Sequence, residues 1–387
     1  MTDRLDVLFT RSRVLTGVST SADKALRSCY RSLIQLGDLS RYRESELVKT
    51  NPNWSPAVGF YDLARTLIPS VGISYNQLAI IALSDSDLFR AVYWLYRALA
   101  VEEPHPQADQ NLRRAFSKIS QASTAGDLRG IATPKVNVSF LKLLLKTQSG
   151  EDTSNFHELE VEYVQVLEDE LRTSEAGKSL RKLFLITFAA TQHAQETFTS
   201  SKGARNSFDA LILTLRLTIK SCCTLLNVFE KQLDACCHEN RALTERLGHL
   251  QESSAASSPL VYLAFLWIVK NKILLTNSIH TDIDKLQDQL WKSSARCLSS
   301  ISKGQFTEHK PQLPHMLSEA EDTLAFTPLI CESTQHVWVS SNGRPKPTAT
   351  EADNAMKQTD QMLYRLCAIE QIGMELSNDE VRFDETS

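Results

Sequence analysis

The chain has 387 residues, of which 42% are hydrophobic, with only 13 Gly and 12 Pro and a formal net charge of −4. That is enough length for two domains or one extended repeat array, enough apolar material for a sizeable core, and a composition favouring helices over strand-and-turn architectures. The charge is uneven: residues 1–120 carry 15 Lys/Arg against 12 Asp/Glu, or +3, which leaves 27 against 34, or −7, for the remainder. Such a mild basic bias permits contact with nucleic acid or a phosphopeptide and excludes a protein that coats duplexes.

The opening stretch "MTDRLDVLFTRSRV" has charges through its apolar positions and does not read as a secretory signal. A nuclear or cytosolic protein with reduced thiols is therefore expected, neither secreted nor membrane-embedded. Periodicity at three and four residues predicts helices at about 23–46, 56–68, 73–84, 87–101, 107–122, 135–147, 156–173, 177–198, 207–247, 259–276, 280–302 and 351–376. Breakers such as "TNPNWSP", "EEPHP", "STAGDLRG" and "ESSAASSP" separate them. The most apolar run, "PLVYLAFLWIV" at 259–269, is too short to cross a bilayer and reads as a buried helix. Only 329–348 looks extended, and the tail after Asn378 is acidic.

The doubled cysteines Cys222–Cys223 and Cys236–Cys237 suggest a metal site at first sight, but they lack the CxxC spacing and alternate with Leu and Phe, as buried core cysteines do. No metal site and no cofactor are expected.

An internal repeat organises the first third. Ala57-x3-Tyr61-x2-Ala64 recurs as Ala91-x3-Leu95-x2-Ala98, offset by 34 at all three positions. Upstream, Leu33-x2-Leu36-Gly37 recurs as Tyr75-x2-Leu78-Ala79 at an offset of 42, so the first unit carries eight extra residues around Trp54. Thirty-four is the tetratricopeptide period, in which small residues let paired helices approach closely. Two such units alone would leave Phe60, Leu63, Tyr93 and Tyr96 on an open face. Later amphipathic helices, above all 207–247, are the candidates to cover it.

The stretch 27–119 resembles the Est/SMG family of telomerase-associated Est proteins and nonsense-mediated decay adaptors. The resemblance is carried by "LGDLSRYR" (36–43), "SYNQLAIIA" (74–82), "AVYWLYRALA" (91–100) and the pattern through Pro104, Pro106, Asn111 and Leu112. "LSEAEDTLAFTPL" at 317–329 is similar to the acidic, then Leu-x-Phe-x-Pro-Leu segment that follows the family's helical hairpins. The resemblance implies an all-α fold: an α-solenoid of tetratricopeptide-like helix pairs, 14-3-3-like, continued by helical hairpins. It implies a 14-3-3-like region at 1–125, a helical-hairpin domain at 126–376 with an irregular segment near 327–350, and an acidic tail at 377–387.

By the same resemblance, "LGDLSRY" is similar to "KGDYYRY" of 14-3-3 proteins, which puts a phosphate-binding pair on Arg41 and Tyr42. An Arg fork with a phenol hydroxyl suits a phosphate dianion. Asp38, three residues before Arg41, equally suits a simple ion pair on one helix. Arg43 lies about 200° around the helix from Arg41 and is not its partner in one pocket. The family's pocket also draws bases from preceding helices; too few residues precede Arg27 to build them, so either a shortened member or an incomplete start is expected, with Arg11 and Arg13 as substitutes. Asn76 would line a tetratricopeptide groove and clamp a peptide backbone, and Arg90 and Arg97 would extend a basic stripe from Arg41; against these stand an exposed Asn without a role and an interleaved, solvated face.

No catalytic set assembles: there is no phosphate loop, no His-Glu-x-x-His and no Gly-x-Ser-x-Gly, and His157, His193, His238 and His249 share no ligand interval. The nuclease domain that ends some family members is not expected within these residues. The resemblance implies a non-catalytic adaptor, nuclear or cytoplasmic, docking a phosphoserine-containing protein or peptide and bridging to decay factors. The rival is a telomerase-associated subunit binding single-stranded DNA or RNA, for which Tyr42, Tyr93, Trp94 and Tyr96 could stack bases, although such aromatics at this period more often form core. A generic peptide-binding tetratricopeptide scaffold is the third reading.

Overall fold

The computed structural model describes residues 20–48, 51–125, 134–149, 155–173, 177–237, 242–304, 306, 316–339, 346 and 358–378. The elements are helical and no sheet forms among these residues. The chain divides into two compact units. The first comprises Met1–Ala132, Ala320–Thr327 and Gln335–Thr348; the second comprises Thr133–Glu319, Pro328–Thr334 and Ala349–Ser387.

In the first unit α1 (Thr20–Leu47) pairs with α2 (Ser55–Leu67), and α3 (Ile73–Ser84) pairs with α4 (Leu88–Leu99), which packs on α5 (Ala108–Ala125). Local sequence sets these starts. Pro56 occupies the first turn of α2, where a missing N–H is harmless. Asp87 caps α4 by accepting from the Arg90 N–H at 3.0 Å. The repeat's small residues lie where the helices meet: Ala57, Ala64, Ala91 and Ala98 are all fully buried, as are Tyr61 and Leu95. The proline-rich turn before α5 is tied to the turn before α3. Gly72 N–H donates to Glu103 O at 2.9 Å, Glu103 N–H donates to Ser70 O at 3.0 Å, and the Arg27 guanidinium grips the Glu103 carboxylate at 2.7 and 3.2 Å. Only glycine fits at position 72, since a Cβ there would fall 2.5 Å from Ala98 O and 2.6 Å from His105 N.

The face expected to be open is largely covered. Tyr93 and Tyr96 are buried, whereas Leu63 stays 52% exposed. Within the first unit the cover over Arg97, on that helix, is the returning segment 320–327, in which Phe326 is fully buried.

The second unit is built around α9 (Arg205–Cys237). This helix packs on α6 (Lys135–Ser149), α7 (Phe156–Leu171), α8 (Gly177–Ser200), α10 (Leu243–Ser253), α11 (Ser257–Lys270) and α13 (Thr281–Lys303). Being surrounded explains a sequence apolar almost all round, and the buried Cys222, Cys223 and Cys236 fill core positions on it. Burial pushes the Cys223 thiol up to about 12. Among the described residues α9 alone is long and apolar enough to cross a membrane, but 72% of that window is buried against its neighbours, as in a core helix. α12 (Lys272–Thr276) follows α11, and α14 (Gln358–Asn378) packs on α10, α11 and α13.

Three expected boundaries need correction. The pattern at 207–247 is two helices: α9 ends at Cys237 and α10 restarts after an extended Ala242, at φ −59° and ψ 150°. The helix expected at 259–276 breaks at Asn271, whose side chain donates to the Trp267 carbonyl at 2.9 Å and ends α11. Of the stretch expected to be extended, the described part 329–339 is instead coiled into short 3-10 turns, Thr327–Leu329 at its start and then Glu332–Val337. Thr334 explains this, because its hydroxyl accepts from the Cys331 N–H at 2.8 Å and donates to Leu329 O at 2.7 Å. Residues 351–357, expected to begin the last helix, lie outside the described residues, as does the acidic tail after Asn378.

Candidate functional site

The Leu36–Arg43 motif sits on α1 where that helix crosses α2. At Gly37 a Cβ would meet the Tyr61 ring at 2.4 Å, so the missing side chain is what lets the ring in. With its ring there, Tyr61 donates its hydroxyl hydrogen to Asp38 Oδ1 at 2.7 Å, and Gln77 Nε2 of α3 donates to the same oxygen at 2.7 Å. Arg41, one turn on, reaches the Tyr61 hydroxyl through Nε at 3.4 Å and lies 3.5 Å from Asp38 Oδ1 through Nη2. Its guanidinium also lies over the Tyr42 ring, 4.3 Å from the centroid. Burial, together with the Asp38 carboxylate, pushes the Tyr61 phenol well above the ordinary tyrosine range, so it stays a neutral donor.

Two features of this cluster bear on anion binding. The Arg41 side chain is 13% exposed, so it is partly desolvated yet reachable. Its contacts are long beside the roughly 2.7–2.9 Å of a close charge-assisted bond. Asp38 meanwhile holds two short bonds from neutral donors, so it does not depend on Arg41 for satisfaction. A dianion arriving at Arg41 therefore competes with one long ion pair, not with a tight fork. Beside it α1 presents an open apolar strip, with Leu36 44%, Leu39 66% and Tyr42 51% exposed.

Arg43 points elsewhere and binds Glu44 at 2.7 Å. Glu44 is buried and accepts from the Asn53 N–H at 2.9 Å, which fixes the loop before α2. That hydrogen bond first, and the Arg43 guanidinium next, hold the Glu44 carboxyl below the usual carboxylate range.

The remaining candidates do not join Arg41 in one stripe. Arg90 pairs with Asp85 at 2.7 Å and Asp87 at 3.5 Å, and Asp85 also accepts from the Trp54 indole N–H at 2.7 Å. Asn76, expected to line a groove, is 2% exposed, and its carbonyl accepts from Asn111 Nδ2 at 2.9 Å; it joins α3 to α5. Arg97, expected on an accessible basic face, is 3% exposed between the rings of Tyr75 and Phe326. The causes differ: Asn76 is covered by the next helix, α5, and Arg97 by the returning segment 320–327. Arg11 and Arg13 lie outside the described residues, as does His238. No group of His, Cys, Asp and Glu with metal-holding geometry occurs among the described residues.

The sequence reading missed Gln77 and the reach of Tyr61 to Asp38. The repeat pattern marks Tyr61 as core, which it is; the hydroxyl's destination depends on Gly37, and that pairing is the one signal that could have pointed to it.

Comparison with known proteins places the chain in a family. The family described as "Est1 DNA/RNA binding domain" matches residues 57–333. The chain is 45% identical over 91 residues to the nonsense-mediated mRNA decay factor SMG7-like of Arabidopsis thaliana, covering 23% of this chain and 10% of that protein. It is 38% identical over 89 residues to the telomere elongation protein est1 of Schizosaccharomyces pombe, covering 23% and 18%. These matches thus span a tenth to a fifth of the relatives' length. In fold it is similar to a chain in the crystal structure of Est1 and Cdc13, with a TM-score of 0.63 at 13% identity, covering 94% of this chain and 71% of that one. It is similar also to a chain in the structure of the C. elegans SMG5-SMG7 complex, with a TM-score of 0.52 at 16% identity, covering 91% and 70%. The all-α, 14-3-3-like array of helix pairs continued by helical hairpins is thus the fold of this protein, and the chain belongs to the Est1 DNA/RNA binding domain family.

Proposed function

We propose that this protein is a non-catalytic adaptor of the Est/SMG type that docks a phosphorylated partner and links it to factors of nonsense-mediated mRNA decay. The observation that carries the reading is the Arg41 cluster. It is a mostly buried guanidinium with long, replaceable contacts, set beside Tyr42 and an open apolar strip on α1. A phosphoserine would take Arg41 as its fork and the Tyr42 hydroxyl as a further donor, and the partner's apolar flank would cover Leu36 and Leu39. Relatives named as decay factors support the setting. The test is binding of a phosphoserine peptide and its unmodified twin, read by fluorescence anisotropy. The phosphorylated form binds tighter, and Arg41→Glu abolishes the difference; equal binding by the two peptides removes the reading.

A second reading, a telomerase-associated subunit that binds single-stranded DNA or RNA, has its own support in the matched family's description and in the est1 relative. It predicts affinity for single strands that falls steeply as salt rises. Capture that is insensitive to salt, or equal in a variant charge-reversed at positions 41, 43, 90 and 97, eliminates it.

A further inference from the structure

Three observations within the first unit converge on the segment 320–327. The first is Arg97. Its guanidinium is sandwiched between the rings of Tyr75, 5.1 Å from the centroid, and Phe326, 4.7 Å. Its Nη2 donates to Leu324 O at 3.3 Å and to the Tyr75 hydroxyl at 3.4 Å, while Nε and Nη1 are buried without a hydrogen-bond partner. A cation sealed away with two donors unused is a costly arrangement, and what seals it is the returning segment.

The second observation is backbone strain. Ala325, between the two residues that touch Arg97, has φ +56°, a left-handed conformation that a residue with a Cβ adopts reluctantly. The third is the way the segment is held. Thr327 N–H donates to Ala100 O at 3.1 Å, Leu324 offers its carbonyl to Arg97, and Phe326 is fully buried. Trp338 clamps the segment's start by donating its indole N–H to Ala320 O at 2.9 Å. Main-chain bonds plus one buried aromatic anchor thus hold the segment, a helical turn to Asp322 followed by tight turns to Thr327, against α4.

We propose that the face formed by Tyr75 of α3 and Arg97 of α4 is a peptide-docking groove whose built-in occupant is the chain's own segment 320–327, and that a Leu-x-Phe-x-Pro segment of another protein binds there by displacing it. The balance inside the contact makes displacement feasible. Phe326 and Trp338 burial hold the clasp, whereas the unsatisfied arginine and the strained Ala325 work against it. Release returns Arg97 to water and relaxes Ala325, so opening recovers part of what the anchor loses. The partner is recognised by chemistry the occupant already displays: an exposed main-chain carbonyl two residues before a phenylalanine, followed by a main-chain N–H.

The test uses the full chain and a labelled peptide of residues 318–329, SEAEDTLAFTPL. In wild type the groove is filled in cis and the peptide binds weakly. Phe326→Ala, which removes the anchor, raises its affinity by roughly tenfold or more, and adding Arg97→Ala to that variant cancels the gain. A folded Phe326→Ala chain that captures no more peptide than wild type overturns the proposal, as does capture undiminished by Arg97→Ala. Should Phe326→Ala not fold, hydrogen exchange on wild type decides. Amides of 324–327 exchange faster than those of α4 if the clasp opens on its own; exchange only together with α4 overturns the proposal.

Discussion

The Tyr61 ring occupies the space that a side chain on Gly37 would need, with three ring carbons within 2.4–2.9 Å of where the Cβ would stand. The ring cannot retreat, because Tyr61 is fully buried and its hydroxyl is bonded to Asp38. Gly37→Ala gains about 1 kcal/mol of helix propensity but forces a rigid ring off its site at about 1–3 kcal/mol. The expected outcome is a net loss of about 1 kcal/mol in urea denaturation. On the proposed phosphate-docking role, phosphopeptide binding weakens with it, since the Asp38–Tyr61–Arg41 geometry shifts. In a Tyr61→Leu background, which shortens the obstructing side chain, the same substitution becomes neutral or stabilising.

In the second unit, Glu160 of α7 and Arg216 of α9 form a two-pronged ion pair at 2.6 and 2.7 Å, with the Glu160 side chain 3% exposed and Arg216 24%. Arg216→Met strands a buried carboxylate and destabilises the chain by about 3 kcal/mol. Glu160→Gln with Arg216→Met recovers most of that loss. A double-mutant cycle by chemical denaturation measures both outcomes; equal loss in the single and double variants would contradict them.

At Ala325 the left-handed backbone favours glycine. Ala325→Gly removes about 1–2 kcal/mol of strain and adds about 0.5–1 kcal/mol of backbone entropy to lose on folding. The segment 320–327 is expected to be held more tightly by the small difference. Slower amide exchange at 324–327, with α4 unchanged, is the readout.

Glu44 gives the protein a defined acid weakness. Unfolded, its carboxyl titrates near the ordinary 4.5; folded, the Asn53 N–H and the Arg43 guanidinium hold it lower. Between the two values the unfolded chain binds a proton that the folded chain does not. Its contribution is thus complete above the unfolded value and lost as pH falls through the folded one. Glu44→Gln keeps an acceptor for Asn53 without the charge. The variant should show a flatter fall in the urea midpoint between neutral and acid pH than wild type, and its midpoint at neutral pH should be the lower of the two.

What the sequence reveals of this fold is what repeats or lies nearby. The small residues at 57, 64, 91 and 98 recur at one period because helix pairs must approach closely there, and all four are buried. Asp38 and Arg41 are three apart on one helix, so their proximity is legible too. Arg97 is different. By local spacing it is a base on an outer face, and it becomes a buried residue through Leu324, 227 positions later in the chain. Glu319 and Arg365 meet in the same manner across 46 positions, with both side chains buried, and neither neighbourhood announces it. The break in the 207–247 pattern was hidden for another reason: apolar periodicity continues on both sides of Ala242, and the interruption is a backbone event without a Pro or Gly to mark it.

Because residues 320–327 and 335–348 belong to the first unit, that unit is unfinished while 133–319 are being translated. At about 5–20 residues per second this interval lasts roughly 10 to 40 s. Throughout it the nascent chain carries Tyr75 and Arg97 without the Phe326 that later covers them. A chaperone or an early-arriving partner on the ribosome would therefore meet this surface before the chain's own segment competes for it.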